Sequence, residues 1–292
     1  MDAAQFDTLA RSVIYPQGRR RFALLLGSLA AVPFLGTEEV VGKKKKKKKP
    51  VCLSGETIKA SGKKRKKLIK NGATPGPCVP SVCSQGVCQP CTVTCSGSAV
   101  LCGAALSQAL QAGGTIVVCP GRYAGGFTVA KDTVLVGAGA GDDPASSTIL
   151  DGQGIDRVLL VENAKLSLAG VSVVNGAAGT ENGGGVLGKY QNETRVADCA
   201  FVNNQGRYGG AMTAGGTLRI TNSRFTGNTA FQGGGLYFGG TTCLISATDF
   251  TNNNVTDDGG AIYRSTGDVT LSSTTFTNNQ PGNCAGTFPF AC

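Results

Sequence analysis

The chain has 292 residues, among them 44 glycines, 12 cysteines, no tryptophan and no histidine, and its formal net charge is +10. Abundant glycine with only 6% aromatic residues is typical of many short strands and tight turns. The absence of histidine excludes the commonest general base and metal ligand of proteins.

The positive charge is concentrated at the N-terminus. Residues 1–70 hold 18 of the 28 basic residues and 5 of the 18 acidic ones, so residues 71–292 carry a net charge of −3. A nucleic-acid-binding domain is expected to carry a basic stripe on its folded part. The distribution therefore predicts that nucleic acid is not a partner.

Residues 1–36 are predicted to be a signal-like segment. The sequence Arg19-Arg20-Arg21-Phe22 precedes an apolar stretch that contains Pro33 and is too short for a stable membrane span. This pattern resembles the twin-arginine export signal of bacteria, and the resemblance implies a secreted or cell-surface protein. The alternative is a short buried helix beside a chance run of arginines.

Residues 37–50 are predicted to be a linker. Lys43–Lys49 is a run of seven lysines, whose mutual repulsion favours an extended, solvated chain. The run is interpreted as a spacer, and the alternative is adhesion to an anionic surface such as lipid or a wall polymer.

Residues 51–103 are predicted to be a cysteine-rich module and connector. Residues 52–78 open with a Cys, a Gly and a Thr-Ile pair and close with Gly-x-x-x-Gly-x-Cys. They resemble a small module of secreted bacterial proteins, and the resemblance implies a Cys52–Cys78 disulfide.

The other cysteines of this region could form either a zinc site or disulfides. Cys88-Gln89-Pro90-Cys91 has the spacing of a zinc or redox pair, but no second matched pair accompanies it. Disulfides are therefore preferred, with no metal site assigned and connectivity left open. The disulfide candidates are Cys52, Cys78, Cys83, Cys88, Cys91, Cys95, Cys102, Cys119, Cys284 and Cys292.

Two motifs recur every 24 to 26 residues in the C-terminal half. A Gly-Gly-small-apolar motif begins at Gly183, Gly209, Gly233 and Gly259, and a Phe-x-x-Asn motif begins at Phe201, Phe225, Phe250 and Phe276. Further apolar columns precede each Phe at spacings of two residues, as expected for one face of a strand. A unit of this length buries its apolar face only by stacking on a neighbour.

These motifs resemble the repeats of polymorphic outer-membrane proteins and the β-helices of pectate-lyase-like proteins. The resemblance implies an all-β, right-handed parallel β-helix over residues 104–281, with six or seven rungs and a Cys-bounded tail at 282–292. Residues Ala99–Gln111 are predicted to form an amphipathic helix that caps the N-terminal end. Cys199 and Cys243 fall in different inward columns and are predicted to be buried free thiols.

Candidate site residues lie just before the Gly-Gly corners. Glu181, Arg207, Phe231 and Asp257 form one outer column, and Asn182, Tyr208, Gln232 and Asp258 form the next. The catalytic candidates are Asp257, Asp258 and Arg207, and the ligand-binding candidates are Glu181, Tyr208 and Arg264. A groove lined by them would suit a sugar or a calcium ion. The alternative is ordinary polar turn residues.

Three functions remain open at this point. The first is a non-catalytic surface β-helix for adhesion or for binding a polysaccharide or cell-envelope polymer, with no cofactor. The second is a polysaccharide lyase or glycoside hydrolase, which requires acids clustered with a Lys or Arg on one face. The third is a purely structural domain. The absence of histidine and the plain residue columns favour the two non-enzymatic functions.

Overall fold

A computed structural model describes residues 49–53, 56–71, 74–75, 81–84, 87–189, 193–287 and 292. The chain divides into two compact units, one of residues 16–79 and one that holds residues 80–292. The predicted signal segment, Lys43–Lys48 and Cys78 lie outside the described residues. The side chains of Cys52, Cys83 and Cys88 also lie outside them. The division into five segments stays a prediction.

The smaller unit contains a three-stranded antiparallel sheet and one helix. Strand β1 (Lys49–Leu53) lies between β2 (Glu56–Ala60) and β3 (Thr74–Pro75). Helix α1 (Gly62–Lys70) follows β2 and packs against β1. The helix ends at Asn71, whose backbone N–H bonds to the carbonyls of Lys67 and Leu68.

The larger unit begins with a hairpin and a helix. Strands β4 (Ser81–Ser84) and β5 (Val87–Pro90) pair antiparallel, with Cys83 opposite Cys88 in the backbone register. Helix α2 (Ala99–Ala112) begins after Ser98, whose hydroxyl accepts a hydrogen bond from the Leu101 N–H at 3.4 Å. Gly113, with φ of 71°, ends the helix.

Three parallel sheets of seven strands each form the rest of this unit, which confirms the all-β parallel β-helix. Sheet one contains β7 (Gly121–Ala124), β10 (Thr148–Asp151), β13 (Ser172–Val174), β16 (Ala200–Val202), β19 (Arg224–Thr226), β23 (Asp249–Thr251) and β27 (Thr275–Thr277). Sheet two contains β8 (Phe127–Val129), β11 (Leu159–Val161), β14 (Val186–Gly188), β17 (Met212–Ala214), β21 (Leu236–Phe238), β25 (Ile262–Arg264) and β28 (Cys284–Gly286). Sheet three contains β6 (Gly114–Val117), β9 (Thr133–Val136), β12 (Leu166–Ala169), β15 (Glu193–Ala197), β18 (Thr217–Thr221), β22 (Thr242–Ser246) and β26 (Asp268–Ser272).

The chain visits sheet three, then sheet one, then sheet two, and repeats this circuit. Each circuit is called a rung below, so the stack has seven rungs. Two further short strands, β20 (Thr229–Ala230) and β24 (Asn254–Val255), pair at the corner between sheets one and two. The last strand, β28, lies within the segment assigned to the tail.

The predicted columns coincide with the observed register. Phe201, Phe225, Phe250 and Phe276 are aligned in sheet one, and successive ring centroids are 4.6, 4.7 and 5.5 Å apart. In sheet three the apolar column that stands five residues before each Phe aligns Val196, Ile220, Ile245 and Leu271. Because strands in adjacent rungs hydrogen-bond to each other, equal residues stack directly and bury one continuous apolar core.

The repeated Asn residues form a buried ladder at the corner after sheet one. The Nδ2 of Asn204 donates to the Oδ1 of Asn228 at 3.0 Å, and Asn228 donates in turn to Asn253 at 2.9 Å. The left-handed backbone conformation at this corner falls one residue before the ladder, as at Asn203 and Asn252. Because the ladder Asn keeps its side-chain amide in the interior, the residue before it adopts the left-handed conformation that turns the chain.

The N-terminal end of the stack meets α2 and two disulfides. The helix packs against β7 and β8, the first strands of their sheets, and buries Leu106 and Leu110 in the core. The predicted capping role of this helix stays a prediction. Disulfides join Cys91 to Cys119 and Cys95 to Cys102, so Cys91 is not paired with Cys88. A third disulfide joins Cys284 to Cys292.

Cys199 and Cys243 are free and buried, as predicted. Burial raises the pKa of the Cys199 thiol to about 12 and also raises the pKa of Cys243. The Cys199 sulfur donates to the carbonyl of Ala197 at 3.1 Å. Both residues therefore behave as small apolar core groups.

Replacing one rung of the Asn ladder is expected to destabilise the fold strongly. In Asn228→Ala the backbone N–H and the side-chain amide of Asn204 lose their acceptor. The Phe201 carbonyl also loses the hydrogen bond that the Asn228 amide donates. We expect a loss of about 3 kcal/mol in the free energy of unfolding, measured by urea denaturation without reductant. The exposed Asn254→Ala is the control and is expected to change it by less than about 0.5 kcal/mol. Equal losses in the two variants would contradict the structural role of the ladder.

The buried thiols are expected to make the fold less stable at alkaline pH. Their ordinary pKa is 9.0, and that of Cys199 is about 12 in the folded chain. The neutral thiol stabilises the folded state fully below the ordinary value, and this contribution is lost as pH rises from 9 towards 12. Denaturation across this range should show a smaller fall of stability with pH for Cys199→Ala/Cys243→Ala than for the parent chain. Identical slopes would show that these thiols do not ionise on unfolding.

Candidate functional site

The outer face of sheet two differs from an ordinary solvent-facing sheet. The central residue of each strand points outward, and the register aligns Thr128, Leu160, Leu187, Thr213, Tyr237, Tyr263 and Ala285. Outward positions of a strand are usually polar, whereas most of this column is apolar or aromatic. Tyr237 and Tyr263 are only half-buried, so the apolar character faces solvent.

The corner before sheet two places the predicted outer columns beside this face. The backbone N–H of Arg207 donates to the Glu181 carbonyl at 2.7 Å, that of Phe231 to Arg207 at 2.8 Å, and that of Asp257 to Phe231 at 3.0 Å. Tyr208 and Gln232 form a parallel bridge in the adjacent column. The two columns are thus stacked as the repeat spacing predicts.

Four aromatic side chains meet where the corner joins the sheet, and we call them the aromatic surface: Tyr208, Phe231, Tyr237 and Tyr263. The Tyr208 ring lies 6.1 Å from Phe231 and 5.0 Å from Tyr237, measured between centroids. Tyr237 and Tyr263 stack at 5.3 Å with nearly parallel planes. On its other side Tyr263 is in register with Ala285, whose methyl group is too small to continue the stack. Phe231 is 45% exposed.

Polar groups surround the aromatic surface. The guanidinium carbon of Arg207 lies 5.1 Å from the Tyr208 centroid, within range of a cation–π contact. A cleft of about 360 Å³ beside it is lined by Gly179, Thr180, Arg207 and Phe231. The Thr213 hydroxyl donates to the Tyr208 carbonyl at 2.5 Å and so fixes the corner against the sheet.

The candidate carboxylates do not converge on one point. The Asp257 Oδ2 accepts a hydrogen bond from the Gln232 side chain at 2.6 Å, and Asp258 accepts one from the N–H of Gly259. Glu181 is an ion-pair partner of Arg157 at 3.9 Å. Among the described residues, no group of three or more His, Cys, Asp or Glu side chains is placed to hold a metal ion. The calcium prediction stays untested.

The structure thus brings Arg207, Tyr208 and Asp257 to the edge of one surface, and Arg264 follows Tyr263 directly in β25. Sequence reasoning missed Tyr237 and Tyr263, and it treated Phe231 only as a column member. A signal for them exists, because each Tyr follows the apolar residue of a Gly-Gly motif and the two stand 26 residues apart.

A second cleft lies on the outer face of sheet three and was not predicted. It has a volume of about 380 Å³, and its charged lining residues are Asp132, Lys165, Glu193 and Arg195. Lys165 and Glu193 are 3.4 Å apart, and Arg195 also bonds to the Glu193 carboxylate. The Nη1 of Arg195 is buried without a hydrogen-bond partner.

The electrostatics of this second cleft do not favour acid–base catalysis. The hydrogen bond from Arg195 lowers the pKa of Glu193, and Lys165 contributes in the same direction against the opposing effect of burial. A carboxylate held ionised by two cations is a weak base at neutral pH and is not available as a general acid.

No helix within the described part of the chain has the length and apolar character to cross a membrane. Comparison with known proteins found no matching protein-family model, no matching curated protein and no matching solved structure. The outer faces of the rungs are therefore the basis for proposing a function.

The aromatic surface is expected to be dispensable for folding. Tyr237→Ala/Tyr263→Ala removes half-buried rings that lie outside the core, and we expect a loss of about 1 kcal/mol in the free energy of unfolding. Phe225→Ala removes a fully buried ring of the core stack, and its expected cost is about 3 to 5 kcal/mol. Urea denaturation of the two variants compares them, and a larger loss for the tyrosine pair would mean that these rings serve the fold.

Proposed function

We propose that this protein is a non-catalytic β-helix that binds carbohydrate through the aromatic surface of sheet two. The observation that supports the proposal is the meeting of Tyr208, Phe231, Tyr237 and Tyr263 on one solvent-facing side of the stack. A solvent-exposed apolar cluster bordered by polar groups typically marks a binding site.

The chemistry of these side chains suits sugars. Sugar rings carry C–H groups on their faces and hydroxyls at their edges, and C–H groups pack on the electron-rich faces of aromatic rings. Because Tyr237 is packed between Tyr208 and Tyr263, the Phe231 ring, which is 45% exposed, is the one that offers a face, while these tyrosines offer their edges and hydroxyls.

Tyr adds a hydroxyl that bonds to water or to a ligand, and it loses little side-chain entropy on binding. Arg207 and Gln232 supply donors at the rim, while Asp257 supplies acceptors.

The extent of the surface favours an oligosaccharide. Tyr208 belongs to the fourth rung, Phe231 and Tyr237 to the fifth, and Tyr263 to the sixth. Adjacent rungs are about 4.8 Å apart, so the surface runs about 10 Å along the stack. Its length follows the stack axis, and an extended glycan lying along that axis would contact all three rungs.

A secreted or cell-surface location accords with this function. Three disulfides among the described residues fit an oxidising compartment. Export by a twin-arginine route rests on the resemblance of Arg19-Arg20-Arg21-Phe22 alone and is part of the proposal.

A polysaccharide lyase or hydrolase is the second candidate, and the cleft on sheet three is the observation that favours it. Glu193, Lys165 and Arg195 gather there on one face. The lowered pKa of Glu193 and the separation of the other carboxylates are why binding without turnover is preferred.

The first experiment is a glycan and polysaccharide screen of the purified chain, with and without calcium. It scores both binding and the release of reducing or unsaturated ends. We expect binding without product release, and a loss of at least about tenfold in affinity in Tyr208→Ala/Tyr237→Ala/Tyr263→Ala. The control is Ile155→Ala, which removes an apolar side chain that is 79% exposed on a loop of another rung.

Each outcome decides between the candidates. Product release that is lost in Glu193→Gln, or in Asp257→Ala/Asp258→Ala, would make the protein an enzyme and overturn the proposal. Binding that the tyrosine variant leaves unchanged would place the site elsewhere. No binding to any glycan would favour a purely structural domain.

A further inference from the structure

Helix α1 of the smaller unit carries a high density of positive charge. Its nine residues, Gly-Lys-Lys-Arg-Lys-Lys-Leu-Ile-Lys, include six basic side chains and no acidic one. Residues 49–75 as a whole contain eight basic residues and one acidic residue. Among the described side chains, no ion pair involves this helix, because the five ion pairs all lie in the solenoid.

The charges are sorted by helix face. Lys63, Lys66, Lys67 and Lys70 follow the i, i+3, i+4, i+7 spacing, so they lie along one side of the helix, and all four are exposed. We call them the lysine stripe. The opposite side carries Arg65, Leu68 and Ile69, which are partly buried. The helix thus turns its apolar side away from solvent and presents the lysine stripe to it.

This arrangement is unfavourable for the helix itself. Like charges three and four residues apart repel each other. The first turn holds Lys63 and Lys64 and no acidic residue, so cations lie at the positive end of the helix dipole. Both costs fall when an anionic ligand lies along the stripe. Such an arrangement is expected where binding, rather than folding, selects the residues.

We infer that the lysine stripe is a binding surface for a linear anionic glycan of the cell envelope. From Lys63 to Lys70 the helix rises about 10 Å, which sets four ammonium groups along the length of a few repeats of an extended polymer. Lysines are compact charges on flexible stems, so they follow spaced anionic groups without demanding a fixed geometry. This site is independent of the aromatic surface.

Two other polyanions fit the structure less well. A helix that binds an anionic membrane inserts an apolar face, whereas Leu68 and Ile69 lie on the partly buried side of α1. Nucleic acid is disfavoured because residues 71–292 carry no excess of basic residues, whereas a nucleic-acid-binding domain is expected to carry a basic stripe on its folded part. The disulfides also fit a compartment where glycans are the common polyanions.

The test measures binding of the full chain to immobilised polymers over a series of salt concentrations. The probes are polygalacturonate, poly(glycerol phosphate), neutral dextran, double-stranded DNA and phosphatidylglycerol vesicles. We expect Lys63→Gln/Lys66→Gln/Lys67→Gln/Lys70→Gln to bind the two anionic polymers at least about tenfold more weakly at low salt. The slope of log affinity against log salt should fall by about 3, because four fewer counterions are released.

Three matched variants test whether binding depends on the lysine stripe or only on the total charge of the chain. Replacing the same four lysines with Arg keeps the charge and should preserve binding. Replacing Lys131, Lys189, Arg219 and Arg224 with Gln removes four charges from the solenoid and should leave binding intact. A third variant changes Lys43–Lys48 to Gln. If only that variant loses binding, the lysine run is the site and the inference about α1 is wrong.

The other possible results would each overturn part of the inference. Stronger binding to DNA or to vesicles than to either anionic polymer would replace the glycan with that partner. Equal binding to neutral dextran would show that charge is not the basis of recognition. Binding to poly(glycerol phosphate), which contains no sugar, without binding to polygalacturonate would replace the glycan with a polyol phosphate polymer. Because the tyrosine variants of sheet two leave α1 unchanged, failure of one site is distinguishable from failure of the other.

Discussion

The structure depends on one constraint, which is that each rung must place the same kind of residue above the same kind in the rung below. Parallel strands in adjacent rungs are only about 4.8 Å apart, so a misplaced polar group would face an apolar column with no partner. The Asn ladder enforces this register, because each amide bonds both to the next amide and to a carbonyl of the preceding rung. A shift by one residue would break all of these bonds together.

This constraint explains why the fold could be predicted from the sequence. The Phe and Asn repeats are visible because their side chains stack on each other, and stacking tolerates little change of residue type. The free thiols were predictable for the same reason, since the repeat spacing places Cys199 and Cys243 in columns that face the interior. Helix α2 was predictable from its apolar residues and the Gly-Gly that follows it.

The candidate site was only partly predictable, because residues on the outer face obey no such constraint. The polar corner columns were located by their spacing from the Gly-Gly motifs. Tyr237 and Tyr263 alternate with core residues, and no rule of the fold demands a ring at those positions. The cleft on sheet three also escaped sequence analysis. Glu193 and Arg195 lie two residues apart in β15, whereas Lys165 directly precedes β12, and the pairing of β12 with β15 brings it to them.

The outer faces of the stack are therefore where this chain differs from a minimal solenoid. Because the core columns fix the register, the residues that point outward can vary without disturbing it. Sheet two uses this freedom for half-buried aromatic rings, and sheet three uses it for a charged cleft. The smaller unit contributes a third kind of surface, since its helix presents lysines on one side. Three chemically distinct faces thus coexist in one chain.

The placement of the disulfides has a consequence for how the solenoid comes apart. In a stack whose units contact only their neighbours, opening normally starts at a terminal rung and proceeds inward, because a terminal rung has one neighbour to lose. Here Cys91–Cys119 and Cys95–Cys102 close loops at the first rung, and Cys284–Cys292 closes one at the last. The first two bonds limit the chain entropy that opening of the N-terminal end would release, whereas Cys284–Cys292 ties the last strand only to the chain beyond it and not to the sixth rung. The two ends of the stack are therefore unequal, and opening is expected to begin at the C-terminal rung.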